Sequence, residues 1–326
     1  MKHDYRTICH DYLLKNLPER TREIIVRRFG LQGERETLEA VGAAYEITRE
    51  RVRQIENDGL QRLKETASTP ACQRVLKEYA DYLKNNASLK REDLLLSQFG
   101  GDNFKNYVFF LLNIGAPFFR MPETDEFHAF WTTDKNSVDK AKKILQGFAL
   151  KLQKIQRPLI LPASVPASYA EISKNILLGP QGLYGLKEWP EVNPKGIKDK
   201  AYIVLKKEEK PLHFTEVATL INSSTVLNTH KKVIPQTVHN ELIKDPRFVL
   251  VGRGLYGLRD WGYEPGVVRD VIYREIKGSR KPLSTDEIVR KVLSQRKVKP
   301  NTVLLNLQNK KYFAKTPEGR YTIRKA

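Results

Sequence analysis

Cysteine is nearly absent: Cys9 and Cys72 are the only two in 326 residues, and neither has the neighbouring partner that a metal site or redox pair uses. Both are expected as ordinary reduced thiols. The six histidines are scattered, with no His-Glu-x-x-His or Cys-x-x-Cys grouping to place ligands on one helix face or turn, so no metal is expected. Also missing is any stretch near the roughly 20 apolar residues of a membrane-spanning helix. The best run, Tyr107 to Phe119, is broken by Asn113, Gly115 and Pro117 and reads as core. The N-terminal Met1-Lys2-His3-Asp4-Tyr5-Arg6 leads into no apolar secretory segment, so the protein is expected in the cytoplasm with no membrane partner. No Gly-x-x-x-x-Gly-Lys-Ser phosphate loop occurs, and neither nucleotide hydrolysis nor a cofactor is expected.

Acidic residues are in short supply. Fifty-seven Lys and Arg stand against 38 Asp and Glu, a formal charge of +19 with pI about 9.7. Such a surface favours a polyanion, because docking on phosphates releases counterions. The excess is uneven: +1 over residues 1–68, +4 over 69–195, +3 over 196–265 and +11 over 266–326, where 16 basic residues meet 5 acidic ones. Nonspecific attraction should come from the C-terminal end, while any reading of sequence could sit elsewhere. The length exceeds what one core usually organises, so several small domains are expected.

From Asp11 to Phe29 the apolar residues Tyr12, Leu13, Leu17, Ile24, Ile25 and Phe29 recur at mostly helical spacing, and Pro18 opens a second helix. Gly30 to Gly33 punctuates the pattern. A short helix begins near Thr37, a tight turn follows at Tyr45-Glu46-Ile47, and Thr48 is placed to cap a helix reaching about Glu65. On that last helix Val52, Ile55 and Leu63 share one face, while Glu50, Arg53, Gln54 and Asn57 lie opposite, flanked by Arg49 and Arg51. Arginine, glutamine and glutamate suit base edges in a major groove. The same polarity describes a solvated surface helix, and periodicity alone does not separate the two.

The segments Leu17-Pro-Glu-Arg-Thr-Arg-Glu-Ile-Ile-Val-Arg-Arg-Phe-Gly-Leu31, Thr37-Leu-Glu-Ala-Val-Gly42 and Thr48-Arg-Glu-Arg-Val-Arg-Gln-Ile-Glu56 closely resemble region 4 of primary sigma factors. The resemblance implies recognition of the -35 promoter element in double-stranded DNA. Arg49, Glu50 and Gln54 would contact bases, with Thr48, Arg51 and Arg53 on phosphates. It also implies docking on the beta-subunit flap of RNA polymerase. Asn57-Asp58-Gly59 departs from the family, lowering basic charge and putting glycine inside a helix at a cost of about 1 kcal/mol. Fewer than twenty residues precede the match, so the chain is not expected to melt promoters as a complete sigma factor would.

Gly182-Leu-Tyr-Gly-Leu-Lys-Glu-Trp189 recurs as Gly254-Leu-Tyr-Gly-Leu-Arg-Asp-Trp261, with an echo at Gly319-Arg-Tyr-Thr-Ile323. Ahead of these lie Arg157-Pro-Leu, Lys210-Pro-Leu and Lys281-Pro-Leu. Capped helices from Phe214 and Ser284, second helices around Thr237–Lys244 and Thr302–Gln308, and glycine-turned hairpins complete a winged-helix order. Residues 196–262, through Pro211-Leu-His-Phe-Thr-Glu-Val and Gly254-Leu-Tyr-Gly-Leu, resemble the HARE-HTH domain also found in the RNA polymerase delta subunit. In a winged helix Gln236, Thr237, Asn240 and Lys244 would face outward with Arg253 at the wing tip, toward either DNA or protein. In the last unit Arg290, Lys291, Arg296, Lys297 and Lys299 precede the second helix, and Lys310, Lys311 and Arg324 follow it, as candidate phosphate contacts.

The expected fold class is mainly α: a helix-turn-helix bundle over 1–68, a helical unit over 69–133 that a hairpin at Phe118–Trp131 could make winged, a degenerate winged unit over 134–195, the HARE-HTH unit over 196–262 and a basic winged unit over 263–326. Glu208-Glu209-Lys210 with Asp199 meets the minimal Glu-x-Lys of metal-dependent nucleases but reads as a charged linker, and no enzyme activity is expected. The expected function is a sequence-specific transcription regulator acting with bacterial RNA polymerase. The alternatives are a delta-like polymerase-associated factor with nonspecific DNA binding, or the DNA-reading part of a restriction or modification system.

Overall fold

Asp4 caps α1 (Tyr5–Thr7), which widens into a π-helical turn over Ile8–Leu13 and tightens into a 3-10 turn over Leu14–Asn16. A regular helix from Asp11 is therefore not what forms: at strict helical spacing Leu14 would point away from Tyr5, Ile8, Cys9 and Leu13, whereas all five are buried. This computed structural model describes residues 3–227, 231–279 and 281–324; Met1 and Lys2 of the N-terminal hexapeptide lie outside the described residues.

Helix α2 (Glu19–Phe29) begins after Pro18 and ends at Gly30, whose φ of 62° closes it in the left-handed conformation that glycine adopts without a Cβ penalty. Thr37 caps α3 (Leu38–Ala44) and Thr48 caps α4 (Arg49–Thr66). Gly42 lets the α3–α4 turn close, since a Cβ there would meet the Ile47 carbonyl oxygen at 2.7 Å.

The next elements run α5 (Pro70–Asn85), β1 (Leu89–Arg91), α6 (Glu92–Gly100), α7 (Lys105–Ile114), β2 (Phe119–Met121) and β3 (Phe130–Thr132). The antiparallel sheet order is β1-β3-β2, with Leu89 and Phe119 both opposite Thr132. Then come α8 (Asn136–Ile155), α9 (Ala167–Ile172), β4 (Ile176–Leu178) and β5 (Tyr184–Leu186); α9 leads directly into the hairpin with no further helix. The chain continues as α10 (Ile197–Glu208), β6 (Leu212–His213), α11 (Phe214–Ser223), α12 (Pro235–Lys244), β7 (Phe248–Gly252), β8 (Leu255–Leu258), α13 (Val268–Ser279), α14 (Thr285–Gln295), α15 (Pro300–Leu307), β9 (Phe313–Lys315) and β10 (Tyr321–Ile323). The chain divides into two compact units, Met1–Leu178 with Leu183–Lys187, and Gly179–Gly182 with Glu188–Ala326. The protein is mainly α, a helix-turn-helix bundle followed by winged-helix folds.

The repeats seen in the sequence occupy equivalent places. Each Pro-Leu leucine pairs with the tyrosine of a Gly-x-Tyr: Leu159 with Tyr184, Leu212 with Tyr256, and Leu283 with Tyr321. The glycines two residues before those tyrosines, Gly182, Gly254 and Gly319, have φ of 76°, 69° and 82°. They turn the hairpin where a side chain would be strained.

One hydrophobic core runs from the N-terminal helices into the α5–β3 segment. Tyr5, Leu13, Leu17, Ile25, Phe29, Leu31 and Leu63 belong to the same cluster as Tyr79, Val108, Phe110, Leu111 and Trp131. Its link is α7. Phe110 and Phe109 meet Phe29 with ring centroids 5.2 and 5.9 Å apart, Asn106 Nδ2 donates to the Gly30 carbonyl at 2.9 Å, and the Tyr107 hydroxyl donates to the Leu31 carbonyl at 2.5 Å. Arg35 reaches back, Nε donating to Asn106 at 2.9 Å with its guanidinium 3.9 Å above the Phe109 ring. Tyr107→Phe removes the buried donor and leaves the Leu31 carbonyl unsatisfied, so urea denaturation should report a loss of about 1–2 kcal/mol. An unchanged midpoint would show that water replaces the hydroxyl.

Candidate nucleic-acid interface

Helix α4 is supported from beneath by α2. Val52 packs with Ile24 and Val41, and Leu63 enters the larger core; all four are fully buried. Gly59 is not an idle helix breaker. A Cβ there would come within 2.6 Å of Ile25 Cδ1 and 2.8 Å of Thr21 Cγ2, so the glycine lets α2 and α4 approach. Arg28 Nε donates to Glu56 at 2.7 Å and its Nη1 to the Glu36 carbonyl, tying α4 to α2 and to the loop before α3. Arg27 grips Glu36 bidentately at 2.7 Å, while Arg20 and Arg27 flank the Tyr45 ring, whose hydroxyl donates to Glu23 at 2.7 Å. Sequence reasoning missed this brace; the alternation of Arg and Glu through 19–36 was its only visible sign.

The sequence-predicted readers are brought together on the exposed face of α4: Arg49, Glu50, Arg51, Arg53, Gln54 and Asn57 line it, with the first four and Asn57 exposed and Gln54 half-buried. Thr48 accepts from Arg51 N at 3.2 Å, the N-cap bond that satisfies one donor of the first turn. The face is internally tied. Arg53 clasps Glu50 at 2.6 and 2.8 Å, holding the Glu50 carboxyl below its usual range; Arg51 donates to Gln54 at 3.2 Å, and Arg49 lies 3.2 Å from Glu39. Exposed pairs of this kind are worth about 0–1 kcal/mol, so a ligand can exchange them at little cost.

Among the winged folds the helix before the hairpin has three fates. Helix α7 is spent on the N-terminal core, α9 has no successor, and α12 is open. On α12 Gln236, Thr237, Asn240 and Lys244 are exposed while Val238 and Leu242 are buried, and Arg253 is exposed in the turn between β7 and β8. Helix α15 repeats the pattern, with Pro300, Thr302, Val303 and Leu307 matching Pro235, Thr237, Val238 and Leu242, and both Val303 and Leu307 buried. Lys310 and Lys311 are exposed beyond α15, where Arg324 donates to the Lys310 carbonyl at 2.8 Å.

Two sequence readings are corrected. Arg296 is not a phosphate contact: it is 3% exposed, and its guanidinium donates to the carbonyls of Glu264, Gly266 and Gln295, plugging the segment before α13. Burial lowers its pKa, yet guanidinium stays charged. Lys291 is paired with Glu275 at 3.0 Å. Asp199 is 7% exposed and its carboxylate is already engaged, accepting from Lys195 N and from Arg247 Nη2, each at 2.7 Å. Arg247 also bonds Asp245 at 2.6 Å. This is a structural clasp between α10 and the α12–β7 turn, which a charged linker reading does not foresee. Among the described residues no group of three or more His, Cys, Asp or Glu could hold a metal ion, and no helix is long and apolar enough to cross a membrane.

Residues 13–65 match the family model described as Sigma-70, region 4. Residues 196–261 match the HARE-HTH family model, described as a restriction endonuclease HTH domain. Over 52 residues, 16% of this chain, the sequence is 58% identical to the RNA polymerase sigma factor RpoS of Coxiella burnetii (strain RSA 493 / Nine Mile phase I), and the match spans 15% of that relative's length.

The clasp has a pH signature. The hydrogen bond from Arg247 holds the Asp245 carboxyl below its ordinary range, so its contribution is present above the unfolded carboxylate pKa of about 4 and is lost as pH falls through the lower folded value. Arg247→Ala leaves two half-buried carboxylates facing each other. It should cost about 3–5 kcal/mol near neutral pH and less in acid, measured by thermal melts from pH 3 to 8. A loss independent of pH would assign the effect to the arginine's packing against Tyr202.

Proposed function

We propose that the protein is a sequence-specific, noncatalytic DNA-binding transcription regulator that works with bacterial RNA polymerase in the cytoplasm. The observation that carries this reading is α4: a capped helix within the sigma region 4-like segment, braced from below and presenting Arg49, Glu50 and Gln54 together on one face. In this reading those three side chains contact base edges of a -35-like element in double-stranded DNA. Thr48, Arg51 and Arg53 contact flanking phosphates, and the Arg53–Glu50 clasp opens to release both partners. The N-terminal bundle docks on the polymerase beta-subunit flap. The five segments 1–68, 69–133, 134–195, 196–262 and 263–326 act as successive modules, with no promoter-melting segment taking part.

A second reading is a delta-like polymerase-associated factor whose DNA contact is nonspecific. It is favoured by the concentration of charge in the last segment and by the exposure of Gln236, Thr237, Asn240, Lys244, Arg253, Lys310 and Lys311. Fluorescence anisotropy on a -35-containing duplex and a scrambled one, over a salt series, separates the two. Arg49→Ala/Gln54→Ala should abolish the promoter preference, a loss of roughly tenfold or more in discrimination, with the salt slope nearly unchanged. Equal binding of both duplexes by the wild type would sink base reading by α4 and leave the second reading.

A further inference from the structure

The hairpin β7–β8 is interrupted. Its register shifts between Leu250 and Gly252, so Val251 stands at a bulge outside the β8 ladder. The Val251 carbonyl is taken instead by the Lys297 backbone N–H at 2.7 Å, from the turn between α14 and α15. Gly252 completes the junction: a Cβ there would lie 2.8 Å from the Lys297 carbonyl oxygen and 3.3 Å from its Cβ, so only glycine lets the turn lie against the strand. The wing of one winged fold is thereby joined to the helix-helix turn of the next.

The junction gathers charge. Arg253 follows Gly252 at the wing tip, and Lys297 and Lys299 project from the turn; Arg253 and Lys297 are exposed and Lys299 is at least half-exposed, and none has an acidic partner among the described residues. The turn belongs to the segment with 16 basic and 5 acidic residues. Arg296, between Gln295 and Lys297, is locked inward by three carbonyls and fixes the turn's position.

We propose that Arg253, Lys297 and Lys299 form one composite surface for the phosphodiester backbone of duplex DNA, complete only when wing and turn are joined. The three cations lie within a few residues of the Val251–Lys297 bond, so they meet one stretch of backbone together. The proposal rests on the DNA-binding reading above but not on base reading by α4. Its ligand is a duplex of any sequence.

The test uses the full chain and a labelled random-sequence duplex in anisotropy titrations over a salt series, with thermal melts by circular dichroism for each variant. Arg253→Ala/Lys297→Ala/Lys299→Ala should weaken binding at least about tenfold at low salt and flatten the log–log salt slope by roughly 3. Lys231→Ala/Lys232→Ala, exposed lysines of the same compact unit, should leave both unchanged. Gly252→Ala alters no charge but wedges the turn from the wing, and should reproduce part of the loss with the melt retained. Arg253→Ala and Lys297→Ala/Lys299→Ala should be non-additive, as groups sharing one ligand are. Wild-type affinity and slope in the triple variant, or an equal loss in the lysine control, would overturn the proposal. So would a loss confined to single-stranded RNA or anionic vesicles. A chain that prefers no promoter yet shows these effects would refute base reading by α4 and keep the composite surface.

Discussion

Two backbone carbonyls, those of Gly30 and Leu31, are held by side chains 76 residues further along the chain, Asn106 and Tyr107. The geometry beneath α4 depends on that hold. It fixes the left-handed exit of α2, the exit places the Arg27–Glu36 and Arg28–Glu56 pairs, and those pairs set α4 against α2 at the distance Gly59 permits. The polar face of α4 is regular because the apolar side has no freedom to shift.

The same winged fold is put to different uses along one chain. In the α5–β3 segment the helix before the hairpin carries Phe109 and Phe110 where α12 carries His239 and Asn240, and it packs inward. The wing of that segment is also engaged: His128 N donates to the Ile172 carbonyl and Lys174 N to the Glu126 carbonyl, each at 2.8 Å. The α8–β5 segment keeps the Pro-Leu strand and the hairpin but has no third helix. Of these folds only those of α12 and α15 present this helix outward, and they lie in the more basic part of the chain. Apolar residues at the outward positions of such a helix turn a nucleic-acid fold into a docking element.

Much of this was legible in the sequence, for particular reasons. The α4 face, both threonine caps and the α12 pattern follow from local periodicity and capping chemistry, which a single segment encodes. The Pro-Leu and Gly-x-Tyr repeats marked strand pairs because only a left-handed glycine makes that turn. What stayed hidden depends on partners distant in sequence. Tyr107 to Phe119 read as core without showing what it packs against. Gly59 read as a cost because the methyl groups of Thr21 and Ile25 that it accommodates lie on another helix. Arg296 and Lys297 are alike in sequence, yet one is buried among carbonyls and the other exposed, a difference set by the fold around them.

The shared core has a consequence for how the protein comes into being. Domains generally fold as they leave the ribosome, N-terminal first. Here the first four helices emerge with Phe29, Leu31 and Leu63 still uncovered, because their cover is α7 and Trp131. The reading helix thus acquires its final footing only after about twice its own module has been synthesised. Until then the nascent chain carries an apolar patch that must be shielded, and a fragment ending near residue 68 would carry that patch permanently.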